Sequence, residues 1–210
     1  MDLQRRRITA LLALAAAAAP LHALAAPLPT PRQSRGPFYP ERLPLDHDND
    51  LVRVAGREGV ARGRITELGG RVLDAAGRPV AGARVEIWQC DANGRYHHPQ
   101  DRQGFDPDPD FQGYGHFVTD DQGGYRFRTI RPVAYPGRAP HIHMAVHPRD
   151  GKPLVTQLYV EGAPENAHDF LLNRIDDPAA RQRLIVPFAP ATGEAAATAE
   201  LAARFDVVLA

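Results

Sequence analysis

Between Arg71 and Leu209 the hydrophobic residues recur at every second position in short runs, and glycine, proline, aspartate or asparagine closes each run within a few residues. A period of two sends alternate side chains to opposite faces of an extended strand, whereas an amphipathic helix needs apolar residues three and four apart. In Ala83 to Trp88, Val85 and Ile87 share a face. Tyr125, Phe127 and Thr129 do so after the Gly123-Gly124 turn. From His141 to His147, Ile142, Met144 and Val146 point one way and the histidines the other. Arg71-Val72-Leu73 and Ala83 to Trp88 read as a pair of strands joined by a turn, and Leu154 to Val160 and Arg204 to Leu209 complete the set. Twenty prolines and eighteen glycines supply the turns. The pattern predicts an all-β fold, a β-sandwich of mixed short strands with long loops and a few short helices. Those helices fall in connections: over 166 to 175, from the Asp177-Pro178 start toward Leu184, and as a spacer or short helix over 195 to 203.

A chain of 210 residues has room for one sizeable core. Arg5, Arg6 and Arg7 precede an Ala/Leu-rich run from Ala10 to Ala19, then Pro20 and the small-residue pattern Ala23-Leu24-Ala25. This reads as a signal peptide over residues 1–25, similar to the twin-arginine type, with cleavage near Ala25/Ala26. The expectation is an exported protein, periplasmic or secreted, with no stable membrane insertion after processing. Residues 26–61, rich in proline and charge, read as an N-terminal arm lying over a domain at 62–210. Lys plus Arg equals Asp plus Glu at 25 each, so no basic excess exists to neutralise phosphates and nucleic acid is not an expected partner. The single Cys90 can form neither an internal disulfide nor a thiolate-rich metal site.

The chemistry-bearing residues gather in two places. His141 and His143 sit two apart on one strand, which sets their backbones about 6 to 7 Å apart and lets both imidazoles reach one ion. A surface pair reads equally well from that spacing alone. The segment before them, Tyr135-Pro136-Gly137-Arg138-Ala139-Pro140, is a proline-bracketed turn that delivers a tyrosine and an arginine beside the imidazoles. A second tyrosine, Tyr96, follows an Asn93-Gly94 turn just past a strand end. Either tyrosine could instead be a core residue. Two phenolates with two imidazoles would balance a ferric ion, Fe(3+), better than they would suit zinc or copper(I).

The runs Gly36-Pro37-Phe38-Tyr39-Pro40, Asp48-Asn49-Asp50-Leu51, Trp88 to Tyr96, Phe127-Arg128-Thr129-Ile130 and His141-Ile142-His143 resemble the intradiol ring-cleavage dioxygenases, especially the iron-binding protocatechuate 3,4-dioxygenase type. The order Gly-Arg-Tyr, then Tyr-Pro, then Arg-x-x-His-x-His is specific, and the resemblance spans roughly Thr30 to Gly162. It implies a ferric ion held by Tyr96, Tyr135, His141 and His143. It also implies Tyr135 as a base, Arg138 beside the bound diol, Gln157 lining the same pocket and Trp88 near the site. The implied reaction inserts both atoms of O2 into a catechol-type diol, such as protocatechuate or catechol, and yields a cis,cis-muconate-type diacid, with a homo- or hetero-oligomer as the assembly. Two departures from the family pattern are the shorter stretch from Tyr135 to His141, with Gly137 in place of a bulky aromatic, and the order Ala139-Pro140. Both bear on the shape of the pocket.

Two other readings compete. The run from Gly70 to Val85 also resembles transthyretin-like and carboxypeptidase-regulatory-like modules, which bind or brace without iron. A zinc hydrolase would use the two histidines with a carboxylate and leave the tyrosines without a role.

Overall fold

The computed structural model describes residues 26–44 and 46–210, so the expected signal peptide over residues 1–25 lies outside the described residues. Among the described residues, ten strands form two five-stranded sheets. In the first, β1 (Ile65–Leu73) lies antiparallel to β4 (Gly124–Ile130) and pairs in parallel with β9 (Leu201–Arg204) and β10 (Val207–Val208), while β8 (Ala189–Pro190) adds to β9. The second runs in the order β3 (Tyr114–Val118), β2 (Arg84–Trp88), β5 (His141–His147), β6 (Leu154–Val160), β7 (Ile185–Val186).

The core lies between the sheets, where the two-residue period puts it. Leu68 and Val72 of β1 and Phe127 of β4 meet Val85 and Ile87 of β2 and Ile142, Met144 and Val146 of β5, all fully buried. Phe117 of β3 meets Phe127 edge-on across the gap, ring centroids 6.5 Å apart. The opposite face of β5 therefore carries its histidines away from the core, and three strands align there. Trp88 pairs with His143, His143 with Gln157, and His141 with Tyr159.

Several details differ from the sequence reading. Leu73 and Arg84 end strands of opposite sheets: Val80 N still donates to Val72 O at 2.9 Å, and the chain then crosses the core to β2. The terminal strand is two pieces, β9 and β10: Phe205 N still donates to Gly69 O at 2.9 Å, and the Asp206 side chain then interrupts the ladder, its Oδ1 accepting from Arg71 N at 2.8 Å. The helix expected over 166 to 175 is a 3-10 turn, Pro164–Ala167, followed by further turns. Its neighbour forms as expected: α1 (Pro178–Gln182) is capped by the Asp177 side chain, which accepts from Ala179 N.

Strand β1 begins at Ile65, earlier than the alternation suggests, because Gly69-Gly70 resembles a turn. At Gly70 the missing side chain has a structural cause. A Cβ there would lie 2.0 Å from Phe205 O, the carbonyl that accepts from the buried Tyr125 hydroxyl.

Residues 26–61 contain no helix or ladder strand among the described residues, yet they are tied to both sheets. Thr30 exchanges hydrogen bonds with Val208, and Gln33 N donates to Val155 O at 2.8 Å. Leu51 and Val52 are fully buried in the main core. The segment crosses the histidine-bearing face of the second sheet and covers it.

Candidate metal centre

Strand geometry brings the two imidazoles together: His141 Nε2 lies 3.2 Å from His143 Nε2. His141 Nδ1 lies 2.6 Å from Ala139 O, a carbonyl that can only accept. The proton of His141 is thus on Nδ1, and its Nε2 lone pair faces His143. Trp88 stacks on the His143 ring, centroids 4.9 Å apart and planes within 5°. Burial disfavours the charged form of both rings, and the neighbouring Arg138 adds to the effect. His141 is pushed down to about 3 and His143 well below its ordinary value. Both imidazoles are therefore neutral donors.

The tyrosines come from two turns. Past β2, the Asp91 carboxylate accepts from Asn93 N and Arg95 N, and Asp101 accepts from Tyr96 N at 2.8 Å, which fixes the Tyr96 backbone. The second turn closes where Arg138 N donates to Tyr135 O at 2.9 Å, so Tyr135 and Arg138 project side by side. The Tyr96 ring meets Tyr135 edge-on at 5.4 Å and His143 at 6.2 Å, and Tyr135 lies 5.4 Å from His141. The Tyr96 hydroxyl is buried beside that of Tyr135, near enough for each to alter the other's acidity. Burial raises Tyr96 well above the ordinary phenol range. It raises Tyr135 as well, against the opposing pull of Arg138. Such phenols ionise only if another cation replaces the proton.

Arg138 and Gln157 join the same cluster. Arg138 Nη1 reaches Tyr135 Oη and His141 Nε2, both at 3.4 Å, while Nη2 donates to Gln157 Oε1 at 2.6 Å. Gln157 Nε2 donates to Ser34 O, so the covering segment is bonded into the cluster. All six residues singled out from the sequence, Tyr96, Tyr135, Arg138, His141, His143 and Gln157, are brought together. Among the described residues no group of three His, Cys, Asp or Glu side chains could hold a metal, so a metal here would need phenol oxygens as donors. A cavity of about 260 Å³ opens beside Tyr135 and Arg138, whereas a larger one of about 550 Å³, at Pro44, Val54 and Phe111, touches none of the six.

Sequence reasoning missed Asp169, whose buried carboxylate accepts from Arg138 Nε at 2.8 Å, and Tyr159, which bonds both Gln157 and Gln33. Asp169 sits in no recognisable run, whereas Tyr159 lies two residues past Gln157 in the expected strand from Leu154 to Val160, where alternation puts both on one face. Sequence reasoning also gave Gly36 no function. Gly36 has φ +70°, and a Cβ there would stand 3.1 Å from His143 Cε1. Gly36→Ala is expected to cost about 1 to 3 kcal/mol from backbone strain, with the His143 ring displaced. The variant's Tm should fall by several degrees in thermal unfolding, while Gly104→Ala, a position with open space around it, leaves Tm unchanged.

Residues 34–210, most of the chain, match the family model described as Dioxygenase, which sets the class. The chain is 42% identical over 174 residues to the protocatechuate 3,4-dioxygenase beta chain of Burkholderia cepacia, a match covering 79% of this chain and 72% of that one. It is 33% identical over 161 residues to catechol 1,2-dioxygenase of Candida albicans, covering 68% of this chain and 50% of the relative. The solved dioxygenase domain of a dioxygenase and carbohydrate-binding fusion from Streptomyces sp. SirexAA-E superposes with a TM-score of 0.63 at 29% identity, covering 86% of this chain and 97% of that domain. The protein belongs to the intradiol ring-cleavage dioxygenase family. It spans about half the length of the catechol and hydroxyquinol 1,2-dioxygenases it matches.

Proposed function

We propose that this protein is a non-haem ferric dioxygenase that cleaves a catechol-type diol between its hydroxyl-bearing carbons and inserts both atoms of O2 to give a cis,cis-muconate-type diacid. The observation that carries the reading is the convergence of two neutral imidazole nitrogens, 3.2 Å apart, with two phenols, Tyr96 buried and Tyr135 half-buried. Four donor atoms packed together away from water are poorly satisfied by one another, and a cation in the space between them would satisfy all four. Two phenolates and two imidazoles suit a hard trivalent ion, so Tyr96, Tyr135, His141 and His143 would hold Fe(3+). When bound, such an ion would draw electron density from the ring of a chelated diol and ready that ring for attack by O2.

The protein's own groups supply the rest. Tyr135 is the less enclosed of the two phenols, and its oxygen, a phenolate once the ion is held, would be placed beside Arg138 Nη1 to receive a proton from an incoming diol. Arg138 holds a fixed positive charge at that position, where it stabilises negative charge developing on the substrate. Gln157 anchors the guanidinium, and Phe38, 4.6 Å from the Tyr96 ring, closes the site from the covering segment. Displacement of water by a bound diol would strengthen each of these interactions. The reading includes export before function, with residues 1–25 as the address.

Purified protein is expected to be red-brown from tyrosinate-to-iron charge transfer and to consume O2 one-for-one with a diol. A panel of protocatechuate, catechol, hydroxyquinol and chlorinated catechols identifies the substrate by oxygen electrode. Colourless protein with stoichiometric zinc and no oxygen uptake across the panel would overturn the reading.

A further inference from the structure

Asp169 lies outside the donor set, in the turns that follow β6, yet its carboxylate is turned inward and its side chain is fully buried. Oδ2 accepts from Arg138 Nε at 2.8 Å and from Ala139 N at 2.9 Å. Oδ1 accepts from Leu171 N at 3.1 Å and Leu172 N at 2.9 Å, and lies 3.5 Å from Arg138 Nη2. One oxygen therefore holds both the side chain of Arg138 and the backbone of the residue after it. Two backbone amides of a separate turn keep the carboxylate itself from moving.

We propose that Asp169 is a positioning residue of the active site: it fixes the Arg138 guanidinium so that Nη1 alone is left to face the reacting diol, and it balances the arginine's charge in the buried site. The proposal rests on the dioxygenase reading above. A guanidinium has five N–H donors in a rigid planar fork. Its Nε and Nη2 edge is taken by Asp169, by Gln157 Oε1 at 2.6 Å and by Tyr159 Oη at 3.2 Å. The Nη1 contacts, to Tyr135 Oη and His141 Nε2, are both long at 3.4 Å. Well-made bonds on one edge and loose ones on the other leave Nη1 as the donor with capacity for a developing oxyanion. A neutral amide at position 169 still offers one oxygen to Leu171 N and Leu172 N, but its NH2 then confronts Ala139 N and Arg138 Nε, donor against donor. The fork must rotate or shift, and its aim at the diol is lost.

The test uses the iron-loaded enzyme, with turnover expressed per bound iron. Asp169→Asn is expected to retain the visible tyrosinate band and to lose about 10- to 100-fold in kcat, with KM for the diol much less affected. Because the residue acts through Arg138, the double variant Arg138→Ala/Asp169→Asn should be no slower than Arg138→Ala alone. Should Asp169→Asn fail to fold, Asp169→Glu carries the comparison: it keeps the charge, moves it by one methylene, and should show normal colour with reduced kcat. Turnover within twofold of wild type in a folded Asp169 variant overturns the proposal, as does an Asp169 effect that persists at full size without Arg138. Wild-type protein lacking iron and oxygen uptake would remove the dioxygenase reading and this proposal with it. An active wild type with unaffected Asp169 variants removes this proposal alone.

Discussion

His141→Ala is expected to purify without iron, without colour and without measurable oxygen uptake. The imidazole is almost fully buried, and its proton is held on Nδ1 by Ala139 O, so Nε2 carries a lone pair in a fixed direction. That preparation costs nothing when an ion arrives. Alanine removes the donor and leaves a gap beside Tyr135 and Tyr159 that no neighbouring side chain can fill with a nitrogen. Loss of a partner that merely orients a metal ligand costs about 10- to 100-fold in affinity or activity, and loss of a donor itself should exceed that. Metal analysis and the visible spectrum read the result, with thermal unfolding as a control for global damage. Iron retained at the wild-type level with the band unshifted would take His141 out of the donor set.

Arg138→Ala should behave in the opposite way: iron and colour stay, and turnover falls by about 10²- to 10³-fold, the range for deleting one preorganised donor to developing negative charge. The substitution also strands the Asp169 carboxylate. Breaking a buried pair of this kind costs about 3 to 5 kcal/mol, here offset in part by the three backbone amides that Asp169 keeps. A lowered Tm is therefore part of the expected result, and kcat per bound iron is the quantity to compare. Full activity per iron would show that the guanidinium is a structural strut. Loss of iron along with activity would place it among the determinants of metal binding instead.

Both outcomes concern residues legible in the linear chain, for different reasons. His141 and His143 could be assigned to one face because strand alternation is a local property of the backbone, and Ile142, Met144 and Val146 between and beyond them name the side that faces the hydrophobic core. The Tyr135 to Arg138 turn announced itself through Pro136 and Gly137. Tyr96 stood out by its place past the Asn93-Gly94 turn at a strand end, and Gln157 was reached only by resemblance to a family. Strand β3 went unread because Gly115 and His116 break any apolar alternation. A Cβ at Gly115 would stand 2.3 Å from Asp48 O, so its lack of a side chain is imposed by the covering segment. The Arg138 and Asp169 pair is separated by 31 residues, with no pattern linking them.

By itself the sequence determined which short segments are extended, which of their faces is apolar, where the Asp177-capped helix begins, and that two imidazoles share one side of a strand. These follow from covalent geometry acting over a few residues. Tertiary structure alone decided that the strands ending at Leu73 and beginning at Arg84 belong to opposite sheets, that residues 30–39 back the histidine face, and that a distant aspartate pairs with the arginine. Such choices depend on which remote surfaces can be buried together with their polar groups satisfied, a condition that no local stretch of chain contains.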